Sequence, residues 1–117
     1  MIFASIFALI VGIGMIGQWT FFLLNHQVPE LKTEPVRIGF HLAAEFLTAM
    51  ALIAAGTSLL AGAPWGRSLY LIAVGMLFYT SIVSPGYFAQ KREWPLVAMF
   101  AVILVLALIS LILLAGT

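Results

Sequence analysis

Four long apolar stretches, separated by short polar segments, dominate the pattern along the chain. They cover residues 2–25, 36–61, 68–90 and 95–115. As α-helices they would be about 31 to 39 Å long, enough to cross a hydrocarbon core of about 30 Å. Unbroken apolar runs do not fit the alternating pattern of barrel strands, whereas helices satisfy their own backbone groups in lipid. The pattern therefore predicts an all-α, integral membrane four-helix bundle of up-down-up-down topology with short loops, forming one domain over residues 1–117.

The polar segments contain residues that suit the ends of membrane helices. Pro35 and Pro95 stand where the second and fourth helices are expected to begin, and there the missing N–H of proline costs nothing. Trp19, Trp65 and Trp94 fall near predicted span ends. Tryptophan is enriched at membrane–water interfaces, so we expect these three side chains to lie in interfacial belts.

Composition agrees with this class and excludes others. The chain is 64% hydrophobic and 8% charged, whereas an average soluble domain is roughly 25% charged. A net charge of +1 argues against a nucleic-acid partner, because phosphate binding needs clustered lysine and arginine. Since the sequence has no cysteine, disulfides, thiolate catalysis and cysteine-ligated iron–sulfur clusters are excluded.

The distribution of cations predicts an orientation. Lys32, Arg37, Lys91 and Arg92 lie in or beside loops one and three, whereas Arg67 alone lies on the side of the termini. Cytoplasmic loops carry the excess of lysine and arginine. We therefore expect loops 26–35 and 91–94 in the cytoplasm and both termini outside, in a prokaryotic-type plasma membrane.

One charged residue, Glu45, lies well inside a predicted span. It is eight residues beyond Arg37, or about 12 Å along the helix. An ionisable group at such depth costs about 2.5–3.5 kcal/mol on insertion scales and marks a functional site by default. Arg37, His41 and Glu45 are four residues apart and share a helix face, which Thr48 extends. Such a ladder either holds Glu45 ionised by pairing or passes a proton along itself.

Depth matching across antiparallel helices adds candidates to this cluster. Gln18 of the first helix and Ser81 of the third are expected at the level of Glu45. Ser81, Ser84 and Tyr87 are spaced by three and therefore share a face. These side chains complete the predicted site for a ligand or a proton.

A hinge is predicted in the third span, at Pro85 and Gly86. Pro85 lacks an N–H, which leaves the carbonyl of Ser81 without its usual donor, and Gly86 weakens the helix further. Neighbouring groups must satisfy a free carbonyl at this depth, and a protonated Glu45 is one candidate donor.

Three functions remain open from the sequence. The leading one is a small membrane protein that binds or transports a small molecule or a proton at the buried cluster. The alternative is a non-catalytic subunit or assembly partner of a larger membrane complex, in which the Glu45 cluster only joins helices. A third is an intramembrane enzyme acting on a lipid or an isoprenoid, with His41 and Glu45 as acid and base. Because one polar site in four helices encloses little volume, we also expect a homo-oligomer.

No cofactor and no metal is predicted. His26 belongs to a loop and His41 to a span, so they do not form a pair of haem ligands. A zinc site would need more ligands than His41 and Glu45. No catalytic residue is predicted either.

Overall fold

The computed structural model describes residues 2–116, which are helical apart from short connections. The helices are α1 (Ile2–Leu24), α2 (Glu30–Thr33), α3 (Pro35–Leu60), α4 (Gly66–Gln90) and α5 (Trp94–Ala115). The four long helices are long and apolar enough to cross a membrane. The predicted all-α chain with four such helices is thus confirmed, and each helix begins and ends within two residues of its predicted span. The one-turn helix α2 was not predicted and replaces part of the expected loop 26–35.

The same backbone motif ends three of the long helices. His26, Gly62 and Arg92 have φ angles of 56°, 72° and 58°. After the first of them, the N–H of Gln27 donates to the carbonyl of Phe22 at 2.9 Å, and equivalent bonds follow the other two. This Schellman arrangement satisfies helix-end carbonyls. Gly62 adopts it freely, whereas a non-glycine residue in this conformation costs about 1–2 kcal/mol.

Helix α1 packs most extensively against α3, through glycines that let the two backbones approach closely. A Cβ atom added at Gly12 would lie 2.8 Å from the carbonyl oxygen of Ala49, and one at Gly56 would lie 2.8 Å from that of Ser5. Small residues at such crossings are typical of membrane helix pairs.

Helix α5 is attached mainly to α4 rather than to α1. The hydroxyl of Tyr70 donates to that of Ser110 at 2.5 Å, and both side chains are fully buried. Between α1 and α5 lies an apolar groove of about 820 Å³, whose walls include Ile6, Ile10 and Met99.

An ion-pair network fixes α2 against the end of α4. Nζ of Lys91 lies 3.2 Å from Oε1 of Glu30. The hydroxyl of Tyr87 donates to Oε2 of Glu30 at 2.9 Å, and Lys91 donates to that hydroxyl at 2.7 Å. Burial acts to raise the pKa of Glu30, but a backbone N–H, Tyr87 and Lys91 together hold this pKa below its usual value. Burial acts to lower the pKa of Lys91, but its bonds to Tyr87 and Glu30 raise this pKa above its usual value.

We expect Gly12→Ala to destabilise the protein and Gly17→Ala, on the same helix, to leave it as stable or more so. The methyl group at position 12 would overlap Ala49 and Ile53, whereas the one at position 17 meets no described atom of a neighbouring helix within 4 Å. Overpacking costs about 1–3 kcal/mol, against about 1 kcal/mol gained in helix propensity. The measurement is the unfolding midpoint of each variant in detergent, followed by circular dichroism. Equal midpoints would contradict the close approach of α1 and α3.

The network at Glu30 also predicts a window of pH in which the protein is most stable. Because the pKa of Glu30 is lowered on folding, its contribution is present above the unfolded pKa of about 4.3 and is lost as pH falls through the folded value. Because the pKa of Lys91 is raised, its contribution is present below the unfolded pKa of about 10.4 and is lost as pH rises through the folded value.

The pH dependence of unfolding in Glu30→Gln tests this window. At neutral pH the wild type should exceed the variant by about 0.5–1 kcal/mol in free energy of unfolding. The difference should shrink toward zero at both acid and alkaline ends. A difference that stays constant with pH would show that the pair contributes nothing electrostatic.

Candidate functional site

The carboxyl of Glu45 lies inside the bundle at the meeting point of three helices. Glu45 is 1% exposed. It stands ten residues after the start of α3, about 15 Å along the helix axis. Nε1 of Trp19 in α1 donates to Oε2 at 3.2 Å. The hydroxyl of Ser84 in α4 donates to Oε1. A single side chain thus connects α1, α3 and α4.

The imidazole of His41 lies beside this carboxyl but is not bonded to it. Its Nε2 is 3.7 Å from Oε1 of Glu45, too far for a hydrogen bond, and has no hydrogen-bond partner among residues 2–116. The ring stacks on Tyr87, with centroids 6.0 Å apart, and meets Trp19 edge-on at 5.4 Å. The side chain is 21% exposed, so His41 is the more accessible member of the pair.

A cavity of about 300 Å³ opens on the outer side of His41. Its walls include Arg37, Gly86 and Gln90, which are exposed residues at the end of the bundle that carries α2. Glu45 does not line this cavity. His41 lines the cavity and lies beside the carboxyl, so the arrangement runs in the order cavity, His41, Glu45.

Trp19 is a site residue that the sequence argument missed. It was expected in an interfacial belt, but it is 1% exposed and donates to Glu45, so that prediction was wrong. The sequence did hold a signal: a tryptophan N–H inside an apolar span needs an acceptor, and Glu45 is the one carboxylate within the four spans. Trp65 and Trp94 are exposed at helix ends.

Three other predicted members of the cluster form no hydrogen bond with Glu45. Gln18 lines the groove between α1 and α5, and Thr48 donates to the carbonyl of Ala44 in its own helix at 2.7 Å. Ser81 is buried, and its hydroxyl, like the amide nitrogen of Gln18, has no hydrogen-bond partner in the described part of the chain. Of the predicted polar neighbours of Glu45, Ser84 is the one that bonds to it.

Arg37, the outer member of the predicted ladder, does not pair with His41. Arg37 forms an exposed ion pair with Glu34, at 2.6 Å, instead of pairing with His41. It remains part of the cavity wall. The guanidinium of Arg37 is exposed at the end of the helix, where it contacts the carboxylate of Glu34.

The predicted hinge lies within an unbroken helix. Helix α4 runs continuously from Gly66 to Gln90 and passes through Pro85. The carbonyl of Ser81 was a predicted partner of Glu45, but the partners of Glu45 are Trp19 and Ser84. Pro85 still removes one backbone hydrogen bond from the last turns of this helix.

The chemistry available at this site is that of a carboxyl and an imidazole. Within residues 2–116, no group of three or more His, Asp or Glu side chains is placed to hold a metal ion. An imidazole with a free nitrogen accepts a proton or donates a hydrogen bond, and a carboxyl 3.7 Å away responds electrostatically to either event.

Comparison with known proteins yields a family but no described relative. No curated protein and no solved structure shows a significant match to the chain. A family model described as "Domain of unknown function (DUF8058)" matches residues 2–116, which include all four long helices and every side chain of the site. The chain therefore belongs to the DUF8058 family, a domain of unknown function.

Proposed function

We propose that this chain is an integral membrane protein in which Glu45 and His41 exchange a proton with the cytoplasm, coupled to binding or transport of a small hydrogen-bonding molecule in the adjacent cavity. One observation carries the proposal. A fully buried carboxyl, about 15 Å along an apolar helix, lies 3.7 Å from an imidazole that lines a cavity of about 300 Å³. Ionisable groups at such depth mark proton and substrate paths by default.

The surface of the bundle supports the membrane setting. Large apolar side chains point outward on the long helices, among them Ile10 (65% exposed), Phe40 (75%) and Ile112 (71%). Contiguous apolar surface of this kind is unfavourable in water and suits lipid. The proposed topology is up-down-up-down. Loops 26–35 and 91–94 lie in the cytoplasm, because they and their flanks carry Lys32, Lys91 and Arg92.

The position of His41 favours a functional site over a purely structural contact. A polar group that only joined helices would need Trp19 and Ser84, which already donate to Glu45 from two other helices. His41 contributes ring packing but no hydrogen bond to that joint, because its Nε2 makes none with any described residue. It does place a proton acceptor between the carboxyl and the cavity.

A second candidate function is an assembly partner of a larger membrane complex or of a homo-oligomer. The surface of α5 favours it. This helix is the least buried of the four candidate spans, and the apolar groove of about 820 Å³ runs between it and α1. Another membrane helix, as well as lipid, would fill such a groove.

The proposed topology predicts opposite labelling at two positions. Because the chain has no cysteine, single cysteines can be introduced at Lys32 and at Trp65, both exposed. A membrane-impermeant maleimide added to intact cells should label Trp65→Cys, whereas Lys32→Cys should react only after the membrane is permeabilised. The reverse pattern would invert the orientation, and equal labelling of both in intact cells would refute the topology.

The proton site predicts a titration that Trp19 reports. In a Trp65→Phe, Trp94→Phe background, Trp19 is the sole tryptophan, and its indole contacts both titrating groups. We expect its emission in liposomes to change with pH. Glu45→Gln and His41→Gln should each shift the midpoint by about one pH unit through loss of the coupled charge, and the double variant should abolish the transition.

Ser110→Ala is the control, since it removes a buried hydroxyl away from the site and leaves Glu45 and His41 in place. Its titration should match that of the parent. Native mass spectrometry of the same sample establishes whether the chain is present without a partner. A transition that survives in the double variant, or no transition in the parent, would reject the proton site.

A further inference from the structure

Two cavities meet at the ring of Tyr87. One is the cavity of about 300 Å³ beside His41, which Tyr87 also lines. The other, of about 330 Å³, lies toward loops one and three and includes Gln27 and Lys91 in its wall, again with Tyr87. Tyr87 therefore borders both cavities.

The same ring covers one face of His41. The two rings are stacked, with an interplanar angle of 20°. Trp19 lies against both His41 and Tyr87, at centroid distances of 5.4 and 5.9 Å. Since Trp19 is fully buried and bonded to Glu45, Tyr87 is the aromatic neighbour of His41 that has room to move.

The hydroxyl of Tyr87 is held by charged groups from outside its own helix. It donates to Glu30 of α2 and accepts from Lys91, which follows the end of α4. The ammonium of Lys91 also lies 4.2 Å from the centre of the ring. Hydrogen bonds to charged groups are stronger than those between neutral groups, so these contacts fix the ring in one orientation.

The segment of α4 that carries Tyr87 lacks one backbone hydrogen bond. Pro85 lacks the N–H that would bond one turn back. At Gly86, a side chain would meet no described atom of a neighbouring element within 4 Å, and this residue faces the cavity beside His41. Space and a missing backbone bond thus occur next to the residue that would move.

We propose that Tyr87 is a gate, held shut by Glu30 and Lys91, whose release uncovers His41 and joins the two cavities into one path from the loops. The proposal rests on the proposed function, because it assigns regulation to the Glu45–His41 site. With the gate shut, His41 exchanges only with the smaller cavity at its edge. With the gate open, the imidazole is reached from both cavities.

Chemical modification of His41 tests the gate. The chain has two histidines, so His26→Gln leaves His41 as the single target. Its rate of modification by diethyl pyrocarbonate is measured by mass spectrometry of the folded protein in detergent. Rates are compared at a pH alkaline to the titration of His41 in each variant, where its imidazole is neutral.

Tyr87→Phe keeps the ring and removes the hydroxyl, and it should raise the rate about tenfold through loss of the hydrogen bonds to charged groups. Lys91→Met should act in the same direction with Tyr87 intact. Lys32→Met is the matched control, since it removes a cation from the helix that carries Glu30 but lies outside the network, and its rate should equal that of the parent. Tyr87→Ala gives the rate for an uncovered ring.

Each contrary result overturns a defined part of the proposal. If Tyr87→Ala does not raise the rate, Tyr87 does not cover His41. If Tyr87→Ala raises it but Tyr87→Phe and Lys91→Met do not, the charged groups do not hold the gate. The rate of modification is independent of the titration reported by Trp19. A lost titration with an intact gate therefore rejects the proposed function, and an intact titration with unchanged rates rejects the gate alone.

Discussion

The arrangement of the bundle depends on one carboxyl group that lies in an apolar interior and receives hydrogen bonds from two neighbouring helices. Glu45 cannot leave the interior without moving α3, and its donors, Trp19 and Ser84, belong to α1 and α4. Removing one partner of a buried charged group is strongly destabilising, because the other is left unpaired. The carboxyl therefore fixes the rotation and the depth of three helices at once. The rest of the interior between them is filled by apolar side chains and close glycine contacts, which specify distance more than register.

Around this carboxyl, the polar groups change in character along one direction. Next to Glu45 lies the imidazole of His41, whose Nε2 has no hydrogen-bond partner among the described residues. The ring of Tyr87 follows, and then the charged pair of Glu30 and Lys91. The interior end is rigid, because its donors are buried. The outer end is built on a one-turn helix and on the last turns of α4, which contain Pro85. A rigid buried group reached past a residue near a helix end is a general arrangement of sites that exclude water and still admit a ligand.

The long helices could be predicted from sequence because apolar runs and prolines are local signals. Each predicted span ended within two residues of the observed helix, and α2 was missed because four residues carry no periodicity. The burial of Glu45 and its proximity to His41 follow from spacing along a single helix. The contact with Trp19 does not, because which face α1 turns toward α3 depends on the close approach at Gly12 and Gly56. The position of Gln18 failed for the same reason, since one residue of difference separates the site from the groove between α1 and α5.

The attachment of α5 has a consequence for synthesis. Every side chain of the proposed proton site and of the proposed gate belongs to the first 91 residues, and α5 is joined to the others chiefly through α4. The ribosome therefore makes every side chain of this polar centre before it makes α5.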